Sequence, residues 1–248
     1  MATLTLQFRA ESLQQNTVVQ IYLPDGVKED IPVLYLLHGM YGDECSWING
    51  SAIGRYARER KVAVVMPRAE NSFYTNMKYG YKYYDYVAKE LPEYLAWVLP
   101  ALTKKREKTY IAGLSMGGYG AMKIALRNPD RFTAAATLSG CVNIAETVKS
   151  RGWSDIAICN WGEDYVNAVK DTPDDLLYLL RTFPKDKQMP RLYVTCGTED
   201  GLYKENQVFK AALEELGADF RYEEGPGVHN WAFWDEWIAP AMDYMMEK

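Results

Sequence analysis

The pattern of hydrophobic and polar positions changes near residue 30. Before that point, Thr3–Arg9 and Val18–Leu23 alternate apolar and polar residues, which is typical of an antiparallel strand pair with one solvated face. After it, apolar residues form short unbroken runs, which are typical of strands buried on both faces of a parallel sheet. These predicted strands are Val33–Leu37, Val62–Met66, Thr109–Ala112, Phe132–Leu138, Leu192–Cys196 and Phe220–Glu223.

Segments with helical spacing of apolar residues separate these runs. The predicted helices cover Tyr84–Leu102, Met116–Arg127, Lys204–Leu216 and Trp231–Met246. Pro92 is expected either to kink the first of them or to begin its second part. Because strands and helices alternate from Val33 onward, the sequence predicts an α/β fold with a mostly parallel sheet and helices on both faces. The leading antiparallel pair is expected at one edge.

The stretch Val142–Pro190 differs from its surroundings, since it is polar and contains only short helical patterns such as Asp174–Arg181. No repeat or linker interrupts the chain, so residues 1–248 are interpreted as one domain. The stretch is then an insertion between two strands. We expect this cap segment, residues 142–190, to lie over the carboxyl ends of the strands, where open α/β sheets place their binding sites.

Composition excludes several classes of function. The chain has 48% hydrophobic and 25% charged residues and a net charge of −5 without a basic stripe, so a nucleic-acid partner is not expected. No apolar run approaches the roughly 18 residues of a membrane span, and the first residues lack the pattern of a signal peptide. Four cysteines occur without CxxC spacing. Reduced thiols and a cytoplasmic location are the simplest interpretation.

The strand that ends near Ala112 is followed at once by the sequence GLSMGG, residues 113–118. A Gly-x-Ser-x-Gly pattern between a strand and a helix forms a sharp, strained turn that raises the serine above the sheet, and the flanking glycines avoid clashes. The N-terminus of the following helix offers free N–H groups to a developing anion. The pattern predicts that Ser115 is a nucleophile; a glycine-rich turn without chemistry is the alternative.

A serine hydroxyl needs a base, and the chain contains only His38 and His229. In serine hydrolases built on a parallel sheet, the chain order is serine, acid, histidine, which fits His229 and not His38. The acid should follow a strand between the two, as Glu199 and Asp200 do. We expect Asp200 to orient His229, with Glu199 as the rival.

The loop after Val33–Leu37 reads His38-Gly39-Met40. In this kind of enzyme that loop supplies one N–H to the oxyanion, and the residue after the nucleophile supplies the other. The backbone N–H groups of Met40 and Met116 are therefore the predicted oxyanion hole, and their side chains are expected in the pocket wall. His38 is expected to orient the loop as a structural residue.

Together, these motifs resemble the esterase D-like branch of the α/β-hydrolases, and within it the tributyrin esterases. The resemblance covers nearly the whole chain. Its motifs are Leu36-Leu37-His38-Gly39, Ser46-Trp47, Ser72-Phe73-Tyr74-Thr75, Glu90-Leu91-Pro92, Gly113–Gly118, Gly197–Asp200 and His229 with Trp231.

The resemblance implies a serine carboxylesterase that acts on short acyl esters through an acyl-enzyme, with no metal or cofactor. It implies Ser115 as nucleophile, His229 as base and then acid, and Asp200 as the orienting carboxylate. A carbohydrate acetyl or feruloyl esterase and an S-formylglutathione thioesterase are alternatives on the same triad, although the motifs of S-formylglutathione hydrolases lack the His-Gly seen here. A non-catalytic binding protein of the same fold is the remote alternative. The expected partner is a small-molecule ester, and a homo-oligomer is compatible with the family.

Aromatic side chains of these motifs and of the cap segment could line the substrate pocket, as aromatic residues commonly do. The candidates are Trp47, Tyr74, Trp161 and Trp231. Packing in the core is the alternative for each of them.

Overall fold

The computed structural model of the protein describes residues 1–247 and contains one eight-stranded sheet. The order of strands across the sheet is β1-β2-β4-β3-β5-β6-β7-β8. The strands are β1 (Ala2–Ala10), β2 (Gln15–Leu23), β3 (Val33–Leu37), β4 (Ala63–Pro67), β5 (Thr109–Leu114), β6 (Ala134–Leu138), β7 (Arg191–Gly197) and β8 (Phe220–Gly225).

Six of these strands, β3 to β8, run parallel to one another, whereas β2 is antiparallel to both of its neighbours. The predicted antiparallel pair at one edge of a mostly parallel sheet is therefore confirmed. Every residue of β3, β4, β5 and β6 is buried, as their unbroken apolar runs predicted.

Helices cover both faces of the sheet. They are α1 (Ser46–Gly50), α2 (Ile53–Arg60), α3 (Tyr83–Asp85), α4 (Leu91–Val98), α5 (Met116–Arg127), α6 (Ile144–Ser150), α7 (Ser154–Trp161), α8 (Tyr165–Val169), α9 (Leu176–Arg181), α10 (Tyr203–Leu216) and α11 (Trp231–Met246). Alternate residues of β3 point to opposite faces, with Leu34 and Leu36 in the core under α2 and α11 and Tyr35 and Leu37 in the core under α5.

The helices α5 and α11 begin and end at the predicted residues. The predicted helix Tyr84–Leu102 is instead three pieces, because a π-helical turn over Tyr86–Glu90 joins α3 to α4. Pro92 lies in the first turn of α4, where its missing N–H costs least, so it begins the second part rather than kinking a continuous helix.

Outside the cap segment, two α-helices were not predicted from the sequence. The helix α1 has five residues, no capping side chain and a single buried residue, so it carries no periodic signal. The helix α2 has eight residues, of which only Ile53 and Ala57 are buried. Both pack under α11 and are defined by tertiary contacts more than by their own sequence.

The cap segment folds into the four helices α6 to α9 between β6 and β7, and Asp175 caps α9 through its side chain. Within residues 1–247, no helix combines the length and the apolar character that a bilayer crossing would need.

Candidate active site

Ser115 lies in the turn between β5 and α5 with φ 52° and ψ −117°, a backbone conformation that L-residues rarely adopt. Such strain costs on the order of 1–3 kcal/mol and persists only where the surroundings fix it. Here the Ser115 N–H donates to the Leu138 carbonyl at 2.9 Å, and the Ser115 carbonyl accepts from Cys141 N–H at 3.2 Å. The end of β6 therefore holds the serine in its strained position.

The glycines around Ser115 are required by close backbone approaches. A Cβ on Gly113 would overlap the carbonyl group of Gly117, and a Cβ on Gly117 would overlap the carbonyl oxygens of Leu37 and His38. Any side chain at either position would push α5 away from the ends of β5 and β3. The predicted steric reason for the Gly-x-Ser-x-Gly spacing is thus present in the structure.

The three residues selected from the sequence lie together at the carboxyl ends of the strands. The Ser115 Oγ is 3.0 Å from Nε2 of His229, and Nδ1 of His229 is 2.8 Å from Oδ2 of Asp200. They come from the β5–α5 turn, the β8–α11 loop and the β7–α10 loop. This is the arrangement in which a histidine can take a proton from a serine while a carboxylate fixes its tautomer.

Asp200 is the better of the two predicted acids by position. Its side chain is fully buried, and its Oδ1 accepts from Leu202 N–H at 2.8 Å. Burial alone would raise the pKa of Asp200, but the hydrogen bond and charge of His229, together with the Leu202 N–H, outweigh it and leave that pKa below its ordinary value. The carboxyl group is therefore held as the anion that the histidine needs.

Glu199, the rival acid, has a different position. Its exposed carboxylate accepts from Gly227 N–H at 2.5 Å, and its own N–H donates to the Gly227 carbonyl at 3.1 Å. Two bonds to one residue of the β8–α11 loop fix the backbone that carries His229. Glu199 thus supports the loop and does not contact the imidazole in this arrangement.

The predicted oxyanion groups also lie beside Ser115. Met40 lines the same cleft as Ser115, and Met116 is the first residue of α5. Across residues 1–247, neither the Met40 N–H nor the Met116 N–H donates to a protein acceptor. Neither N–H is therefore engaged by another protein group, as donors to an oxyanion require. The side chain of Met116 is fully buried in the core, so only the Met40 side chain belongs to the cleft wall.

His38 is buried and hydrogen-bonded on both ring nitrogens. Its Nε2 is 2.9 Å from the Ala69 N–H, which can only donate, so Nδ1 carries the proton and donates to the Gly39 carbonyl at 2.7 Å. Burial lowers the pKa of His38, which keeps the ring neutral. The ring shapes the loop that carries Met40, as predicted, and is not free to act on a substrate.

The cleft above Ser115 has a volume of about 280 Å³, near the lower end of the roughly 300–1,000 Å³ of small-molecule sites. Its wall is strongly aromatic, and His229 lies edge-on to Trp234 with ring centroids 4.9 Å apart. The residues that line it are Gly39, Met40, Tyr41, Gly42, Ser46, Leu114, Ser115, Trp153, His229, Trp231 and Trp234.

Of the four aromatic residues predicted to contact substrate, the structure brings only Trp231 to this cleft. Trp47 is buried beneath it, where its indole N–H donates to the Leu37 carbonyl at 3.0 Å and its ring supports Trp231 edge-on. Tyr74 is buried against Gly120, and its hydroxyl donates to the His38 carbonyl at 2.9 Å. Trp161 packs on Phe73 and donates to Asp174 at 2.9 Å. These three residues are scaffold, because each has its polar atom bound inside the protein.

Sequence reasoning missed Tyr41, Trp153 and Trp234 as cleft residues. Trp153 comes from the cap segment, so that segment does reach the carboxyl ends of the strands as expected. Nothing in the local pattern distinguishes Trp153 from Trp161. Trp234 lies three residues after Trp231 on α11, and that helical spacing could have placed both rings on one side.

A larger cavity of about 650 Å³ lies elsewhere, at the C-terminal end of α5 and beside α9. Arg127, Asp130, Arg131, Phe183 and Lys187 are among its lining residues, and it contains none of the residues around Ser115. The chemistry identified above belongs to the smaller cleft.

The comparisons with known proteins agree with this geometry. A family model described as "Putative esterase" matches residues 10–245. The chain is similar to an acetyl esterase from Caldicellulosiruptor saccharolyticus, with 32% identity over 262 aligned positions that cover 99% of this chain and 98% of that protein.

Two solved structures from Staphylococcus aureus are also similar over nearly their full lengths. The first is FphF, a fluorophosphonate-binding serine hydrolase, with 35% identity, a TM-score of 0.93 and coverage of 100% of this chain and 99% of that one. The second is the S-formylglutathione hydrolase FrmB, with 33% identity, a TM-score of 0.87 and coverage of 99% of each chain.

Proposed function

Because the chain belongs to the esterase family whose model spans residues 10–245, it is a serine carboxylic ester hydrolase of the α/β-hydrolase fold, and we propose that Ser115, His229 and Asp200 are its catalytic triad. The single observation that carries the residue assignment is the unbroken relay from the Ser115 hydroxyl through His229 to Asp200, with separations of 3.0 and 2.8 Å.

In the proposed reaction, Ser115 Oγ attacks the ester carbonyl carbon while Nε2 of His229 takes its proton. The carbonyl oxygen becomes an anion that the N–H groups of Met40 and Met116 stabilise. His229 then protonates the departing alcohol, which leaves an acyl group on Ser115. Water then attacks the acyl carbon and gives a proton to His229. The bond between that carbon and Ser115 Oγ breaks, His229 returns the proton to Oγ, and the acid leaves, so the chain ends each cycle in its starting state.

We propose short acyl esters, such as tributyrin, as the substrates. The small cleft volume supports this, because a long acyl chain needs more room than about 280 Å³ provides. The cap segment is proposed to form part of the cleft roof within one domain, since Trp153 comes from it. Four free cysteines support a reducing compartment, for which the cytoplasm is proposed.

The test is hydrolysis of p-nitrophenyl esters from acetyl to octanoyl by the wild-type protein and by Ser115→Ala. We expect activity that decreases with acyl length and is absent from the variant. Equal activity in the two proteins would exclude Ser115 as the nucleophile. A preference for octanoyl over acetyl would contradict the proposed acyl length and leave the triad assignment intact.

S-formylglutathione hydrolysis is the second candidate function. It is favoured by the similarity to an S-formylglutathione hydrolase at 33% identity over 99% of each chain. The same triad and oxyanion groups would cleave a thioester, with a thiol as the leaving group. Comparing kcat/KM for S-formylglutathione, acetylated xylan, a methyl ferulate and p-nitrophenyl acetate would decide between the leaving groups.

A further inference from the structure

Lys123 is a fully buried lysine in the middle of α5, a little over two turns after Ser115. Lysine is almost never fully buried unless it is paired. Its Nζ donates to Asp174 Oδ1 at 3.0 Å and to the Phe73 carbonyl at 3.1 Å, and it lies over the Tyr119 ring at 4.6 Å. A carboxylate, a carbonyl oxygen and an aromatic ring therefore compensate the charge of the Lys123 ammonium group.

Asp174, in the cap segment, joins three parts of the chain. Its Oδ2 accepts from Thr75 Oγ1 and from the indole N–H of Trp161, both at 2.9 Å, and its carbonyl accepts from Tyr119 OH at 2.6 Å. Burial raises the pKa of Asp174, but the charge and hydrogen bond of Lys123 and the two Oδ2 donors outweigh it, so that pKa lies below its ordinary value. Hydrogen bonds with four other residues, Phe73, Thr75, Tyr119 and Trp161, thus converge on this ion pair.

Lys123, Asp174 and their partners form a network with two arms. The first arm leads to the loop His38-Gly39-Met40, here called the oxyanion loop. Phe73 and Tyr74 both have positive φ, 48° and 51°, which L-residues adopt only when their surroundings force them. Lys123 holds the Phe73 carbonyl, and the Tyr74 hydroxyl donates to the His38 carbonyl at 2.9 Å. His38 lies two residues before Met40. The strained turn therefore connects the ion pair to the backbone of the proposed oxyanion hole.

The second arm leads to the cleft wall. Trp161 is fixed by Asp174 and packs on Phe73 with ring centroids 5.5 Å apart, and Phe73 in turn contacts Trp153 at 6.3 Å. Trp153 lines the cleft above Ser115. The same ion pair is thus linked to the cap-segment side of the site.

We propose that Lys123 and Asp174 are positioning residues. They hold the oxyanion loop and the Trp153 wall of the cleft in the correct position relative to the Ser115 turn. The inference rests on the proposed function of that site. The competing explanation is an ion pair that only stabilises the fold. Replacing such a pair by apolar or neutral groups of similar size is often neutral or stabilising, which makes the two explanations separable.

Two near-isosteric variants each remove one hydrogen bond of the network. Tyr74→Phe removes only the hydroxyl that binds the His38 carbonyl, and we expect a roughly tenfold lower kcat with an unchanged KM, less than the ~10²–10³ for losing an oxyanion donor outright. Thr75→Val removes only one donor to Asp174. We expect KM to rise about fivefold, which corresponds to the net free energy of a typical hydrogen bond, with kcat unchanged. Lys123→Met with Asp174→Asn should change both constants without leaving an unpaired charge.

Tyr193→Phe is the matched control. Tyr193 is also buried, and its hydroxyl donates to Glu223 in the neighbouring strand, away from the network around Lys123. We expect its kcat and KM to equal those of the wild type whatever the change in Tm. Variants of the network that alter Tm but leave both constants unchanged would overturn the proposal, as would a Tyr74→Phe effect confined to KM.

A readout that does not use activity separates this inference from the proposed function. Amide hydrogen exchange should become faster at residues 38–42 and 153–161 in the double variant and not in Tyr193→Phe. Unchanged exchange in both segments would overturn the positioning role. If the wild-type protein hydrolysed no ester while these exchange rates rose, the proposed function would fail and the structural coupling would stand.

Discussion

The turn that carries Ser115 and the cap segment reach the same cleft by different physical means. The turn is built from backbone: glycines at 113 and 117 allow close approach, and main-chain bonds to Leu138 and Cys141 fix the serine. The cap segment is held by side chains, with Trp161, Asp174 and Trp153 joined to the body of the protein by a buried ion pair and by tilted aromatic packing on Phe73. The proposed nucleophile is thus held by main-chain bonds, whereas the cleft wall depends on side chains that can be replaced.

The largest effect is expected at the reacting atom itself. Ser115→Ala should lower kcat on the order of 10⁶-fold while leaving the fold intact, because the triad acts as a unit. Progress curves with p-nitrophenyl acetate, together with the Tm of both proteins, measure this. If Ser115→Ala retained a hundredth of the wild-type kcat, Ser115 would not be the nucleophile, and the comparison of the two regions would no longer be one of nucleophile and cleft wall.

The orienting carboxylate should come second. Asp200→Asn is expected to lower kcat about 10⁴-fold, because the amide would favour the wrong tautomer of His229. The folded-state pKa of Asp200 lies below its ordinary value of 3.8. The ionised carboxylate therefore adds to the free energy of unfolding above pH 3.8, and this contribution is lost as the pH falls through the folded-state pKa.

The same variant therefore carries a pH prediction for stability. The difference in Tm between wild type and Asp200→Asn should be constant near neutral pH and shrink below about pH 4. Thermal unfolding from pH 3 to pH 7 tests it. A difference that grew in acid would mean that the carboxylate is not stabilised as the anion.

A backbone change should come third and should damage both stability and activity. Gly117→Ala places a Cβ against two carbonyl oxygens, and the overpacking should cost about 1–3 kcal/mol of unfolding free energy. Gly54→Ala is the matched control, because the atoms nearest to its Cβ are side-chain atoms of Met1 and Tyr22 at 3.3 and 3.4 Å rather than backbone, and the helix propensity of alanine, which is about 1 kcal/mol better than that of glycine, offsets this milder contact. Chemical denaturation compares the two, and equal behaviour would contradict the steric account of the turn.

The smallest effect is expected from the cap segment. Trp153→Ala should raise KM several-fold with little change in kcat, because it removes cleft wall without touching the triad. Trp97→Ala, at an exposed tryptophan outside the cleft, should leave both constants unchanged. If Trp153→Ala lowered kcat as much as Asp200→Asn does, the cap segment would act on the chemical step and not only on substrate binding, which contradicts the comparison.

The same contrast explains what the sequence could predict. The Ser115 turn is specified by residues next to one another, and β3 and β5 are specified by their own apolar runs, so local reasoning placed them. His229 and Asp200 followed from chain order and strand ends. In each case the signal is contained in a few consecutive residues.

The residues that line the cleft could not be predicted from local sequence in this way. Trp47 and Tyr74 are aromatic residues of the resemblance motifs and Trp161 is one of the cap segment, yet each donates a hydrogen bond to an internal partner and packs as scaffold. Trp153 reaches the cleft because of how α6 and α7 pack, and no local period reports that packing. The short helices α1 and α2 were missed for the same reason, since tertiary contacts define them.

The hydrogen bond from Ser115 N–H to the Leu138 carbonyl has a consequence for how the chain folds. Ser115 acquires its conformation only when β6 is in register beside β5, and its partner His229 lies 114 residues further along the chain. Non-local pairing of this kind is slow to form. During refolding, recovery of helical signal should therefore precede recovery of esterase activity, which makes activity a reporter of the last steps of assembly.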